Sequence, residues 1–114
     1  MDEDIFWGER NPKETEALIC LVDAEACLGK AMLNGSVELY EKALKLSEKV
    51  IEYFPQCAIA HYFTGYAHLK AKGDKNYAEQ KCQLLLSHKS KDANILAKKL
   101  KDEIEGIKGI LGTD

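Results

Sequence analysis

Long apolar runs are missing from this chain of 114 residues; its apolar stretches are only a few positions long, whereas a helix crossing a bilayer needs about 20 in succession. No membrane span is expected. The first ten residues also lack the basic start and extended apolar core of a secretory signal, because Met1 to Arg10 set acids around Ile5, Phe6 and Trp7. A cytoplasmic location is therefore expected. The four cysteines, Cys20, Cys27, Cys57 and Cys82, form no C-x-x-C pair and lie in or beside apolar helical stretches, where a free thiol packs as a small hydrophobe. Cys20 and Cys27, like His61 and His68, stand seven residues apart. Along a helix that is about 10 Å, too far for both members of a pair to hold one zinc ion. Neither a metal nor any other cofactor is expected.

Motifs for catalysis are absent as well. No phosphate-cradling glycine loop, no G-x-S-x-G and no H-E-x-x-H occurs, and each of those patterns places a nucleophile, a base or a charge-holding group where chemistry needs it. His61, His68 and Cys82 converge only if the second hairpin described below closes, and they fall on packing positions. Core roles are expected of them, and no enzyme. Arginine is missing from residues 70–101, which carry nine lysines and three acids, while residues 1–69 carry six basic and twelve acidic side chains. Such polarity can attract an acidic partner, RNA or a second copy of the chain. With no arginine in that stretch, no known nucleic-acid motif and a net charge of −3, a solvated lysine face is expected and nucleic acid is not.

What remains is an ordinary globular composition, 46% hydrophobic and 31% charged, in a length that suits one domain with one modest core. Asn11-Pro12 starts a helix, since Asn caps free N–H groups and Pro is tolerated at the first helical position. Leu18, Leu21, Val22, Cys27, Leu28, Ala31 and Met32 then recur at helical spacing as its inner face. Asn34-Gly35 ends it, both residues accepting the left-handed conformation. Ser36 caps a second helix with Val37, Tyr40, Ala43, Leu44, Ser47, Val50, Ile51 and Phe54 on its inner stripe, stopped by Pro55. The third, about 58–71, holds Tyr62, Phe63 and Tyr66. After a turn at Lys72-Gly73-Asp74 comes a fourth, about 76–87, with Tyr77, Ala78, Cys82, Leu84, Leu85 and Leu86 for the core. His88 to Lys91 reads as a loop. Asp92 caps a fifth helix with a stripe of Ala93, Leu96, Leu100, Ile104, Ile107 and Leu111, its end weakened by Gly106, Gly109 and Gly112 at about 1 kcal/mol each.

At an offset of 35 to 36 residues the chain overlays itself, Gly29 on Gly65 and Ala43 on Ala78. Both hairpins resemble tetratricopeptide repeats. Leu28-Gly29, Met32, Ala43, Ser47, Val50 and Pro55 carry the first likeness; His61, Thr64-Gly65, His68, Ala78, Cys82 and Leu85 carry the second, with Ser90 near the place of the family's Pro. The match is degenerate, Met32, Ser47, His68 and Cys82 standing in the aromatic slots. The resemblance implies an all-α fold of five helices, antiparallel hairpins stacked as a short right-handed α-solenoid. Residues 1–11 would be an N-terminal extension and 12–111 one domain, made of hairpins 12–55 and 57–90 and a capping helix 92–111. Small residues such as Gly29 and Gly65 would let paired helices approach closely.

The resemblance also implies a function, the binding of a peptide or helix of another protein in the concave groove lined by the first helix of each hairpin. Carried over position by position, that groove takes Asp23, Ala26, Lys30, Leu33 and Asn34 from the first repeat and Ile59, Tyr62, Tyr66, Leu69 and Lys70 from the second. Lys30 and Asn34 match part of a carboxylate-holding set known in the family, but Tyr62 and Tyr66 stand where its polar partners belong. The competing reading is that the two tyrosines fill their own core. The competing function is self-association into a homodimer or larger assembly, using the terminal helix or an N-terminal segment in which Ile5, Phe6 and Trp7 dock on a neighbour or in their own groove.

Overall fold

The computed structural model describes residues 12–112, with side chains described as far as Gly106. The Asn11 cap, the apolar trio Ile5, Phe6 and Trp7, and the side chains of Ile107 and Leu111 lie outside the described residues. Five helices follow in order: α1 (Pro12–Asn34), α2 (Val37–Tyr53), α3 (Ala58–Lys72), α4 (Lys75–Ser87) and α5 (Lys91–Gly112), with no strand among the described residues. The fold is all-α.

The turns form where the chain chemistry places them. Gly35 takes φ +68° and its N–H donates to the Ala31 carbonyl at 2.6 Å. Ser36 then caps α2 by accepting from the Leu39 N–H at 3.2 Å. Gly73 repeats the arrangement at φ +69°, donating to Leu69, and the Asp74 carboxylate caps α4 through the Tyr77 N–H at 3.1 Å. A left-handed glycine satisfies carbonyls at one helix end while a short polar side chain satisfies amides at the next start. At α5 the expected cap is corrected. The Ser90 hydroxyl, not Asp92, accepts from the Ala93 N–H at 3.1 Å, so α5 opens at Lys91, with Lys89 at φ +54° turning the chain. Asp92 instead lies in the first turn, where its charge suits the positive end of the helix. Neither Gly106 nor Gly109 ends α5, which runs on to Gly112.

Consecutive helices pack against one another, and α3 also touches α5 and, over a short stretch, α1. That central place explains the composition of α3: Ala60, His61, Phe63, Thr64, Gly65, Tyr66, Ala67 and Leu69 are all buried. A helix enclosed on several sides must be apolar nearly all round. Its neighbours come close at Gly65, where a Cβ would stand 2.7 Å from Leu100 Cδ2 and 3.1 Å from Lys81 Cβ. The expectation for Gly29 is corrected, because a Cβ there would have nothing within 4 Å. Among the described residues its smallness serves no packing.

The inner face of α1 also differs from expectation. Ala17, Cys20, Ala24, Cys27, Leu28 and Ala31 are buried, whereas Leu18, Val22 and Met32 are exposed. Small residues point inward because α2 lies close along that face, with Ala43, Leu44 and Val50 opposite. Val37, Phe54, Leu84 and Leu86 are likewise more exposed than expected.

Candidate functional site

The α3 half of the expected groove is largely filled by the protein itself. Tyr66 is 5% exposed and sits edge-on to Tyr40 with ring centroids 6.1 Å apart. Burial, then the neighbouring Tyr40 and Glu103, push its phenol far above the ordinary range, so the ring stays neutral and apolar. Tyr62 is half-buried, stacked on Tyr66 at 6.1 Å and packed beside the cluster of Leu85, Ala93 and Ala97. Ile59 is also half-buried, lining a shallow hollow with Ala58, Asp92, Ile95 and Leu96. Lys70 is held by Glu103 of α5 at 3.1 Å and reaches over the Tyr66 ring at 5.5 Å. One cause unites these placements: α5 lies along the face of α3 that a ligand would need. Leu69, the remaining α3 position, is fully buried.

The α1 half is open. Asp23, Ala26, Lys30, Leu33 and Asn34 are exposed, Leu33 to 90%. Asn34 accepts from the Ser36 N–H at 3.1 Å and so serves its own turn. In the structure α1 meets α3 only over a short stretch, with Lys30 and Asn34 exposed and Tyr66 in the core. The structure also reveals a feature that the repeat alignment misses. Leu18, Val22, Ala26, Gly29 and Leu33 succeed one another at steps of four, four, three and four, with Ile19 alongside. Such spacing sets them on one line of a helix, and every one of them is exposed. Val22 and Ile19 show 60% and 56% of their surface. The line runs opposite the buried face of Ala17, Cys20, Ala24, Cys27 and Ala31, so α1 is apolar on both sides. That double pattern was present in the sequence, but a helix with two apolar faces does not declare which one faces the core.

A second constellation joins α2's end, α3 and α4. His61 Nε2 lies 2.6 Å from the Pro55 carbonyl, and its Nδ1 lies 3.1 Å from Lys81 Nζ. An ammonium can only donate, so Nδ1 accepts and the Nε2–H donates to Pro55. Burial holds the imidazole pKa below its ordinary value; the Pro55 bond opposes that, while Lys81 and His88 reinforce it. Lys81 is itself pushed down by burial, with Glu48 acting against it, and its Nζ stands 5.6 Å from the Tyr77 ring. Tyr77 in turn stacks on His68 at 3.9 Å. Both ring nitrogens of His61 are thus engaged, tying the α2–α3 turn to α4, whereas His68 Nδ1 is buried without a hydrogen-bond partner among the described residues. Among the described residues no group of three or more His, Cys, Asp or Glu is arranged to hold a metal ion, and Cys82 donates its S–H toward the Ala97 carbonyl at 3.6 Å.

An open groove of about 530 Å³ lies between α4 and α5, walled by Cys82, Leu86, Ala97 and Ile104 and rimmed by Lys98 and Lys101. No described helix is long and apolar enough to cross a membrane. No family model matches the chain, and neither a curated protein nor a solved structure matches it.

Proposed function

We propose that the protein is a non-enzymatic protein-interaction module, a short right-handed stack of two tetratricopeptide-like hairpins closed by α5, whose contact surface is the outer face of α1. The observation that carries this reading is the exposed apolar line of Leu18, Val22 and Leu33 with Ile19 beside it. Monomeric proteins seldom leave a continuous apolar surface of that kind uncovered, and where it occurs it marks a partner site. The stacking supports the reading too: α5 takes up the face of α3 and leaves the corresponding face of α1 free. The surface lies beside the groove that the repeat likeness implies and shares Ala26, Lys30 and Leu33 with it. The tyrosine-lined half drops out, since Tyr66 is part of the core. A cytoplasmic setting belongs to the same proposal.

Affinity capture with the full chain and two variants tests it. Leu33→Glu, at a position with almost no contacts, should abolish specific association while leaving the helical signal and melting temperature unchanged. Tyr62→Phe, which keeps the packing on α5, should retain it. Association that survives Leu33→Glu and Val22→Glu alike would sink the assignment to α1.

A further inference from the structure

We infer that the occupant of the α1 face is the α1 of a second copy, lying antiparallel across it; this rests on the interaction reading above. The repeat offset indicates what shape the face accepts. Gly29, Ala26 and Leu33 fall over Gly65, Tyr62 and Leu69 of α3, and there the covering element is a helix, α5, whose Leu100 closes on Gly65 and whose Ala93 and Leu96 lie by Tyr62. A helix is thus the element that fits such a line of residues. On α1 the small positions stand uncovered by any described residue, with none of them within 4 Å of a Cβ at Gly29.

Antiparallel self-pairing fills them. With the two-fold axis between positions 25 and 26, Leu18 meets the second copy's Leu33, and Val22 enters the hollow over its Gly29, each contact occurring twice by symmetry. Lys30 then lies level with position 21 of the other copy, one turn or less from its Asp23 on the same flank. Among the described residues neither Lys30 nor Asp23 has an ion-pair partner within its own chain, so two reciprocal pairs are available. On the opposite flank Glu25 lies beside its own copy at the solvated rim, one repulsive pair against two attractive ones.

The competing occupant is the chain's own residues 1–11. They carry Asp2, Glu3, Asp4 and Glu9 against the single Arg10, and α1 carries Glu14, Glu16, Asp23 and Glu25 against Lys13 and Lys30, so both sides have an acidic excess that argues against them. The apolar surface available is roughly 500 Å² per copy, about 1,000 Å² for the pair, which is the low end of specific interfaces and implies a weak, concentration-dependent dimer.

Sedimentation of the full chain across micromolar concentrations tests the inference. Wild type should pass from monomer to dimer. Gly29→Gln, which the open space tolerates and helix propensity favours, should stay folded and bind itself at least about tenfold more weakly, a loss of about 1.4 kcal/mol. Orientation is read with a short thiol cross-linker in a Cys57→Ser background, the other three cysteines being buried. Ala26→Cys should link to its own copy. Leu18→Cys should not, because its two copies stand about 22 Å apart along antiparallel helices. Equal linking at both positions would overturn the antiparallel arrangement. A chain that stays monomeric throughout would overturn the inference, and a shift of Trp7 fluorescence on Val22→Glu in that monomer would assign the face to residues 1–11. A monomer that captures a different protein, and loses it on Leu33→Glu, would refute self-pairing while leaving the interaction reading intact; a monomer with no α1-dependent association would sink both.

Discussion

Replacing each of the two repeat-related glycines by alanine should move stability in opposite directions. At Gly29 the added Cβ meets nothing within 4 Å, so the variant gains helix propensity alone, about 0.5–1 kcal/mol. At Gly65 the same gain is opposed by overlap. The new Cβ would stand 2.7 Å from Leu100 Cδ2 and 3.1 Å from Lys81 Cβ. A leucine end group can usually swing aside, but Leu100 is fully buried, and Lys81 Cβ sits next to the α4 backbone and moves only with it. Overpacking of this kind costs about 1–3 kcal/mol. Subtracting the propensity gain leaves Gly65→Ala less stable than wild type by up to about 2.5 kcal/mol, and since both variants share that gain they should differ by the overpacking cost alone, about 1–3 kcal/mol. Urea unfolding of each chain at low micromolar concentration, where self-association is slight, measures this as a change in midpoint at constant slope. Combining Gly65→Ala with Leu100→Val, which removes the obstructing Cδ2, should give a loss smaller than the sum of the single losses by at least about 0.5 kcal/mol. A Gly65→Ala chain as stable as the Gly29→Ala chain, or a destabilised Gly29→Ala chain, would refute the packing described for α3.

The remaining expectations test the cap, the tyrosines and the buried histidine. Ser90→Ala should lower stability by about 0.5–2 kcal/mol, and Asp92→Ala by a few tenths at most, since only Ser90 accepts a backbone N–H; equal losses by thermal melting would return the cap to Asp92. Tyr66→Ala should cost about 3–5 kcal/mol as a large-to-small core change, whereas Leu33→Ala should stay within about 0.5 kcal/mol; the reverse order in chemical denaturation would mean that Tyr66 faces solvent. For His61 the folded pKa is depressed, so the unfolded chain takes up its proton first as pH falls through about 6.5. The stability that neutral His61 supplies is complete above that pH and is lost as pH drops toward the depressed folded value. The melting temperature should therefore fall between pH 7 and 5.5, and His61→Gln should flatten that slope; an unchanged slope would remove His61 from the account.

The end of α1 and the start of α2 were legible in the sequence because they depend on local chemistry, Gly35 turning left-handed within its own backbone and Ser36 capping a neighbour three residues away; Asp74 was legible as a turn residue but not as a cap, and the α5 cap falls on Ser90 in place of Asp92. Which face of α1 turns inward was not legible. Leu18 and Val22 are more apolar than Ala17, Cys20 and Ala24, yet the small residues are buried because α2 approaches too closely for larger ones. The two glycines show the same limit. Gly29 and Gly65 overlay at the 36-residue offset of the sequence, but only at Gly65 do described side chains of two other helices stand within 4 Å of a Cβ. Tyr62 and Tyr66 stand one turn apart on one helix, and nothing local in the sequence indicates that α5, some 30 residues onward, covers them. The apolar line on α1 carried a usable signal, a second set of apolar positions at helical spacing opposite the first.

Because α3 touches each of the other four helices while α1 rests mainly on α2, the molecule should open in stages. Amides of α3 should exchange with solvent only when the whole chain unfolds, whereas those of α1 should exchange through a smaller, cheaper excursion in which α1 lifts from α2. Deuterium uptake would rank the helices accordingly, and pairing through α1 would slow uptake first in the helix that the isolated chain holds least firmly.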